Sequence, residues 1–215
     1  MDCIAHRGFA GANPENTVAA VEDAATRADG VEVDVRVCGS GELVVHHDET
    51  VDRTTDGSGP VAAHTAAELA ALSVEGSEAG VPTFEAVAAA VPEGVTLHAE
   101  LKERGTGEPV ERVVADAGCD AVVSSFDPEA LTEIEGLPTA LVQWEGEGLV
   151  SRARNLGCSF VHPNLGSCDS SLVERAHGAG LRVNAWTVTD AEETAEAREA
   201  GADGVITDFP DCCPS

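Results

Sequence analysis

The stretch VEVDV, residues 31–35, sets two carboxylates between three valines. Alternate residues of a strand share a face, so Glu32 and Asp34 point one way and Val31, Val33 and Val35 the other. What the acids face depends on what surrounds the strand. Short β-rich runs recur at 3–6, 31–35, 96–101, 121–124, 139–143, 160–162, 182–187 and 204–207. Between them lie alanine- and acid-rich stretches of helical period, at 17–28, 83–90, 109–117, 128–134, 148–155, 170–179 and 191–200. Gly118, Gly157, Gly180 and Gly201 stand where helices should stop. Asp169 and Asp190 stand where two should start. Strand and helix alternating in this way give a parallel sheet with helices outside. Eight such units in 215 residues predict an α/β fold closed as a TIM (β/α)8 barrel; a doubly wound open sheet is the alternative. The barrel is minimal: residues 209–215 leave only a stunted last helix. No linker divides the chain, so 1–215 reads as a single domain. Within it, residues 38–82 interrupt the pattern. CGSGE followed by LVVHHDE reads as a hairpin, and a short polar insertion follows that belongs over the active site.

In a parallel barrel both sheet faces are covered. The valines then meet the helices, and Glu32 and Asp34 point inward. In HAELK, residues 98–102, Glu100 and Lys102 share a face by the same parity. Catalytic groups of such barrels gather at the C-terminal strand ends. Those ends carry His6 and Arg7, Glu32 and Asp34, Glu100 and Lys102, Ser124 and Ser125, Gln143, His162 and Asn164, Asn184 and Trp186, and Asp208. Three converging buried carboxylates repel one another unless a cation lies between them. Oxygen ligands alone suit one hard divalent ion, Mg²⁺ or Ca²⁺. The competing reading pairs the acids with Arg7, Arg36 or Lys102. Lys102 is the sole lysine of the chain, and a compact ammonium suits a phosphate oxygen in a crowded site. Of the seven histidines, His6 ends the first strand beside Arg7. His46 and His47 must face opposite ways, and Asp48 follows to orient one of them. Two imidazoles beside a metal and two fixed cations make an acid–base pair for phosphodiester cleavage.

Composition bounds the rest. There are 39 acids against 12 lysines and arginines, for a net charge of −27. The acids are dispersed, which predicts a folded halophilic surface in a high-salt cytosol. Such a surface repels nucleic acid and anionic membranes. Seven cysteines without CxxC spacing predict reduced thiols. No leader or spanning apolar run is seen, so a cytoplasmic location and no stable membrane anchoring are expected. Oligomeric state is not encoded legibly.

The chain also resembles the glycerophosphodiester phosphodiesterases. HRG at 6–8, PENT at 14–17, EVDV at 32–35, HDET with DRTT at 47–55, VPTFEA at 81–86, ELK at 100–102, SSF at 124–126, AWTV at 185–188 and DGVITDFP at 203–210 follow the family's order. The resemblance implies a TIM barrel and hydrolysis of glycerophosphodiesters to sn-glycerol 3-phosphate and an alcohol, within lipid and glycerol metabolism. It implies His6 and His47 as the acid–base pair and leaves His46 a bystander. It implies Glu32, Asp34 and Glu100 on the metal, Arg7 and Lys102 on the phosphate, and Trp186 at the glycerol or pocket wall. Glu15 and Asn16 become supporting positions, alongside Asp48. The chain departs from the pattern in a short 66–80 stretch, where the family carries a longer insertion that helps choose substrate. A lyase forming a cyclic phosphate and a non-catalytic phosphate sensor are the alternative functions.

Overall fold

The computed structural model describes residues 1–214. Nine strands form in chain order: β1 (Asp2–His6), β2 (Gly30–Val37), β3 (Leu43–Val45), β4 (Thr96–Leu101), β5 (Ala121–Ser125), β6 (Thr139–Gln143), β7 (Phe160–Pro163), β8 (Arg182–Val188) and β9 (Gly204–Thr207). All but β3 run parallel, in the order β1-β9-β8-β7-β6-β5-β4-β2. A β1–β2 pairing closes the ring. This is the eight-stranded TIM barrel expected from the alternation, and it excludes the open sheet.

Helices pack outside: α1 (Val18–Ala24), α3 (Phe84–Ala90), α4 (Gly107–Ala117), α5 (Pro128–Leu131), α6 (Leu149–Leu156), α7 (Ser170–Gly178) and α8 (Ala191–Ala200), while α2 (Ala66–Ala70) belongs to the insertion. Side-chain oxygens of Thr17, Thr83, Asp127, Asp169 and Asp190 accept from backbone N–H groups at the starts of α1, α3, α5, α7 and α8. Each satisfies a donor that the helix itself leaves free. Gly118, Gly157 and Gly201 end α4, α6 and α8 in the left-handed conformation. After β9 comes the short 3-10 turn Pro210–Cys212.

The valines of β2 face outward as parity requires. Val31, Val33 and Val35 are fully buried against Val21, Phe84, Val87 and Val110. Burial of one such valine contributes about 1.5–3 kcal/mol. The opposite face of β2 therefore points into the barrel, and register completes the arrangement. His6 pairs with Glu32 across β1 and β2, and Asp34 pairs with Glu100 across β2 and β4. Only residues 30–32 of β2 meet β1. Its upper end, Val35–Val37, pairs antiparallel with β3, so the hairpin stands above the rim. The insertion that follows has its own small core, from Val44, Val51, Val61, Leu69, Val74 and Val81.

One expectation is corrected. Cys3 and Cys213 form a disulfide, with Cα atoms 5.1 Å apart. Barrel closure sets β9 beside β1, which brings together cysteines separated by 210 positions. Spacing along the chain carries no sign of such a contact, and the thiol argument for a reducing compartment falls away.

Candidate active site

The β1–α1 loop begins with a run of left-handed residues: Arg7 (φ 51), Gly8 (φ 76) and Phe9 (φ 64). Such conformations are costly for arginine and phenylalanine. Gly8 is required twice over, because a Cβ there would meet Ala20 Cβ at 2.7 Å. The turn aims the Arg7 amide at Glu32 Oε2, 3.1 Å away. It also places the Arg7 guanidinium 3.1 Å from both Asp34 and Glu15.

Glu32, Asp34 and Glu100 converge inside the rim, with one oxygen of each within 4.8 Å of the others. Lys102 Nζ lies 2.8 Å from Asp34 Oδ1 and also pairs with Glu100. Asn16 donates from Nδ2 to Asp34 Oδ2 at 2.8 Å. Both sequence readings therefore hold in part. Asp34 is matched by Arg7 and Lys102, whereas Arg36 pairs with no acid among the described residues. It donates instead to the His47 carbonyl, at 2.9 and 3.0 Å. Glu32 is left short: its Oε1 is buried with no hydrogen-bond partner among the described residues.

The proton affinities follow from these neighbours. Burial raises the Glu32 pKa, and the Asp34 charge raises it further. Burial also raises Glu100, and Lys102 only partly offsets this. For Asp34 burial acts upward, but Lys102 and Arg7 outweigh it and hold the carboxyl ionised. Three oxygen-donor side chains, one with an unsatisfied buried oxygen, fit a hard divalent cation.

His6 stands at one side of this cluster. Its Nδ1 is 2.6 Å from Asp208 Oδ1, and its Nε2 is 3.9 Å from Glu32 Oε2. Burial alone would lower its pKa, but the Asp208 hydrogen bond and the Glu32 charge raise it overall. His47 stands at the other side, on the segment after β3. Its Nδ1 is 2.6 Å from Asp48 Oδ1, and burial lowers its pKa against the pull of Asp34. His46 turns away, with Nε2 3.1 Å from the Thr50 carbonyl. His6, Arg7, Glu32, His47, Glu100 and Lys102 all line one cavity of about 620 Å³. The 6–8, 32–34, 47–48 and 100–102 motifs thus come together, and Glu15 and Asn16 lie directly behind them.

A model of the glycerophosphoryl diester phosphodiesterase family matches residues 6–212. The chain belongs to this glycerophosphoryl diester phosphodiesterase family. A glycerophosphodiester phosphodiesterase of Caldanaerobacter subterraneus subsp. tengcongensis is 32% identical, with 97% of this chain and 94% of that one covered. The Bacillus altitudinis enzyme of the same name is 30% identical over 97% and 94%. Among solved structures, an Oleispira antarctica phosphodiesterase in complex with the product sn-glycerol-3-phosphate superposes with a TM-score of 0.86. It is 27% identical, covering 98% of this chain and 94% of that one. A glycerophosphodiester phosphodiesterase of Agrobacterium tumefaciens gives a TM-score of 0.87 at 26% identity over 99% and 98%. This chain is accordingly a glycerophosphodiester phosphodiesterase.

Several groups of this phosphodiesterase escaped the sequence reading. Arg53, within DRTT, donates to both Glu15 oxygens at 2.8 and 3.0 Å and to Asp48 at 2.5 Å. It thereby links the carboxylate behind Arg7 to the one behind His47. Asp208 was visible as the end of the eighth barrel strand but not as the partner of His6. Trp186 lies on the cavity wall, its Nε1 donating to the His162 carbonyl at 2.8 Å. Phe126 and Trp144 stand beside it on the same wall.

Proposed function

We propose that this phosphodiesterase, a single domain over residues 1–215, hydrolyses glycerophosphodiesters to sn-glycerol 3-phosphate and an alcohol. His6 and His47 are the acid–base pair, and Arg7 and Lys102 hold the phosphate. The observation that carries the reading is the shared cavity: two imidazoles, two cations and three clustered carboxylate oxygens line or adjoin it. The Oleispira relative in complex with sn-glycerol-3-phosphate supports that product.

Glu32, Asp34 and Glu100 would hold one divalent cation, Mg²⁺ or Ca²⁺. When bound, it supplies positive charge to the non-bridging phosphate oxygens and lowers the pKa of water. The remaining work falls to side chains. Asp208 and Asp48 each engage Nδ1 of their histidine, so Nε2 is the working nitrogen of both rings. One ring takes a proton from the attacking water while the other gives one to the departing alkoxide. The P–O bond to water forms, the P–O bond to the alcohol breaks, and the protons balance. Arg7 and Lys102 meet charge that grows on the phosphoryl oxygens, where fixed cations act most strongly.

The test is product identity and rate on glycerophosphocholine. Phosphorus NMR should show sn-glycerol 3-phosphate with no cyclic phosphate before it. His6→Ala should lower kcat by about 10²–10⁴-fold, the ordinary contribution of one acid–base group. A cyclic product would support the lyase instead, and a His6→Ala enzyme as fast as wild type would remove His6 from the chemistry.

A further inference from the structure

The chemistry proposed above uses the rim of the barrel and leaves its interior idle. Val161 on β7, together with Val183 and Ala185 on β8, joins the outer core. Strand parity then turns His162 and Asn184 inward. By the same parity Ser124, Val142 and Ile206 point inward from β5, β6 and β9, next to the outward Val123, Leu141 and Val205. Ser124, Val142, His162 and Ile206 all line the catalytic cavity, and together they make it an uncharged floor.

One contact fixes what His162 presents there. A neutral imidazole has one N–H donor and one acceptor nitrogen. The Asn184 amide donates from Nδ2 to His162 Nε2 at 3.2 Å, so Nε2 accepts and the proton sits on Nδ1. Burial, then the neighbouring His98, pushes the pKa down to about 3, so the ring stays neutral near pH 7. Trp186 Nε1 holds the same residue by its carbonyl, at 2.8 Å. The Nδ1 atom has no hydrogen-bond partner among the described residues. It is also absent from the unpaired atoms sealed inside the protein, among them His98 Nδ1 and Asn184 Oδ1. With Nε2 committed, Nδ1–H is the donor that His162 offers to the cavity. A donor in so buried a place is costly unless an acceptor meets it.

The chemistry of a glycerophosphodiester narrows that acceptor. Its phosphoryl oxygens are charged and suit Arg7 and Lys102, since charge-assisted bonds are stronger than neutral ones. The oxygens that remain unclaimed are the hydroxyls of the glycerol half, which are neutral acceptors matched to a neutral donor. We infer that His162 is a specificity residue whose Nδ1–H, aimed by Asn184, donates to a glycerol hydroxyl of the substrate. This rests on the hydrolase reading above and names how that enzyme recognises the constant half of its substrates. Asn184 is a positioning residue that acts through the ring.

Two measurements test it. In the first, kcat/KM is compared for glycerophosphocholine and for propyl phosphocholine, which lacks both hydroxyls. The glycerol ester should be preferred roughly 5- to 150-fold, the cost of leaving one buried donor unpaired. His162→Leu should reduce that ratio at least 5-fold. His162→Asn, whose amide keeps a donor near the Nδ1 position, should restore part of it. Equal rates of the wild type on the two esters would overturn the inference. So would a His162→Leu loss identical for both, which is the mark of a purely structural role, or a His162→Asn ratio no higher than that of His162→Leu. The second measurement needs no turnover. Long-range ¹H–¹⁵N NMR of the intact protein should show the His162 ring, assigned by its loss in His162→Asn, as the Nδ1–H tautomer. Adding sn-glycerol 3-phosphate should shift that Nδ1 signal, and propyl phosphate should leave it in place. Asn184→Leu should mix the two tautomers. An Nε2–H ring in the wild type, or equal shifts with both phosphates, would contradict the inference, and an unchanged ring in Asn184→Leu would remove the positioning role. A protein that shows the selective shift yet turns over neither ester would refute the hydrolase reading and leave the hydroxyl contact standing.

Discussion

His162 fills the barrel interior below the site, and its ring centroid is 6.0 Å from that of His98. Asn184 donates from Nδ2 to its Nε2 at 3.2 Å. Burial, then the neighbouring His98, pushes the His162 pKa down to about 3. In an unfolded chain the same ring titrates near its ordinary value of about 6.5. Between those values the unfolded chain binds a proton that the folded barrel refuses, so stability rises with pH there and falls on acidification. Urea unfolding at pH 7 and pH 5 should therefore show a loss approaching about 1.4 kcal/mol per pH unit from this residue. His162→Gln should remove this residue's share of the slope and leave that of His98, whose pKa burial pushes down to about 4; an unchanged slope would count against the assignment. The roles of single residues were unequally legible in the sequence. Glu32 and Asp34 could be read because a period of two sorts a strand into faces. Asp208 could not be matched to His6, because the pair is 202 positions apart and only barrel closure joins them.

At the level of elements, strands were easier to place than helix ends. The runs 96–101, 139–143 and 204–207 coincide with β4, β6 and β9, since helices on one side and the barrel interior on the other define both faces. The helical pattern 17–28 overruns α1, which stops at Ala24. No glycine marks that stop. Thr26 Oγ1 instead donates to the Asp23 carbonyl and Arg27 pairs with the Asp23 side chain, contacts that leave no imprint on periodicity. The insertion was expected to lie over the site, whereas the residue that fastens it to the β1–α1 loop was not foreseen. Arg53 reaches 38 positions back to Glu15 and holds the β1–α1 loop against the segment carrying His47. Arg53→Ala should let the two drift apart. A displacement of about 1 Å in a catalytic group costs up to about 10²-fold, so kcat should fall by up to that factor. The variant's melting temperature should stay close to wild type, because the side chain is half exposed. Arg53→Lys should recover little, as an ammonium cannot span both carboxylates. Unchanged kcat in Arg53→Ala would show that the loop and insertion hold their places without it.

For the whole molecule, two properties dominate: a closed barrel and a net charge of −27. Closure was readable from eight repeated units, whereas the Cys3–Cys213 bond that ties the first strand to the last turn was not. Dispersed surface acids repel one another, and salt screens that repulsion over a Debye length of about 10 Å at 0.1 M and about 3 Å at 1 M. The melting temperature should accordingly rise between low and molar KCl, and a flat or falling curve would contradict a salt-adapted surface. Among the described residues no helix is long and apolar enough to cross a membrane. The charge inside the barrel matters more than the charge outside it. The proposed chemistry would draw on one doubly charged ion held by Glu32, Asp34 and Glu100 and on the two imidazoles that line the same cavity. The most direct measurement is calorimetric titration of Mg²⁺ and Ca²⁺ into chelator-treated, dialysed protein, in KCl high enough to screen surface acids. We predict saturable uptake of one ion per chain, abolished in Asp34→Asn and weakened in Glu32→Gln and Glu100→Gln. No saturable uptake, or uptake indifferent to all three substitutions, would contradict the account.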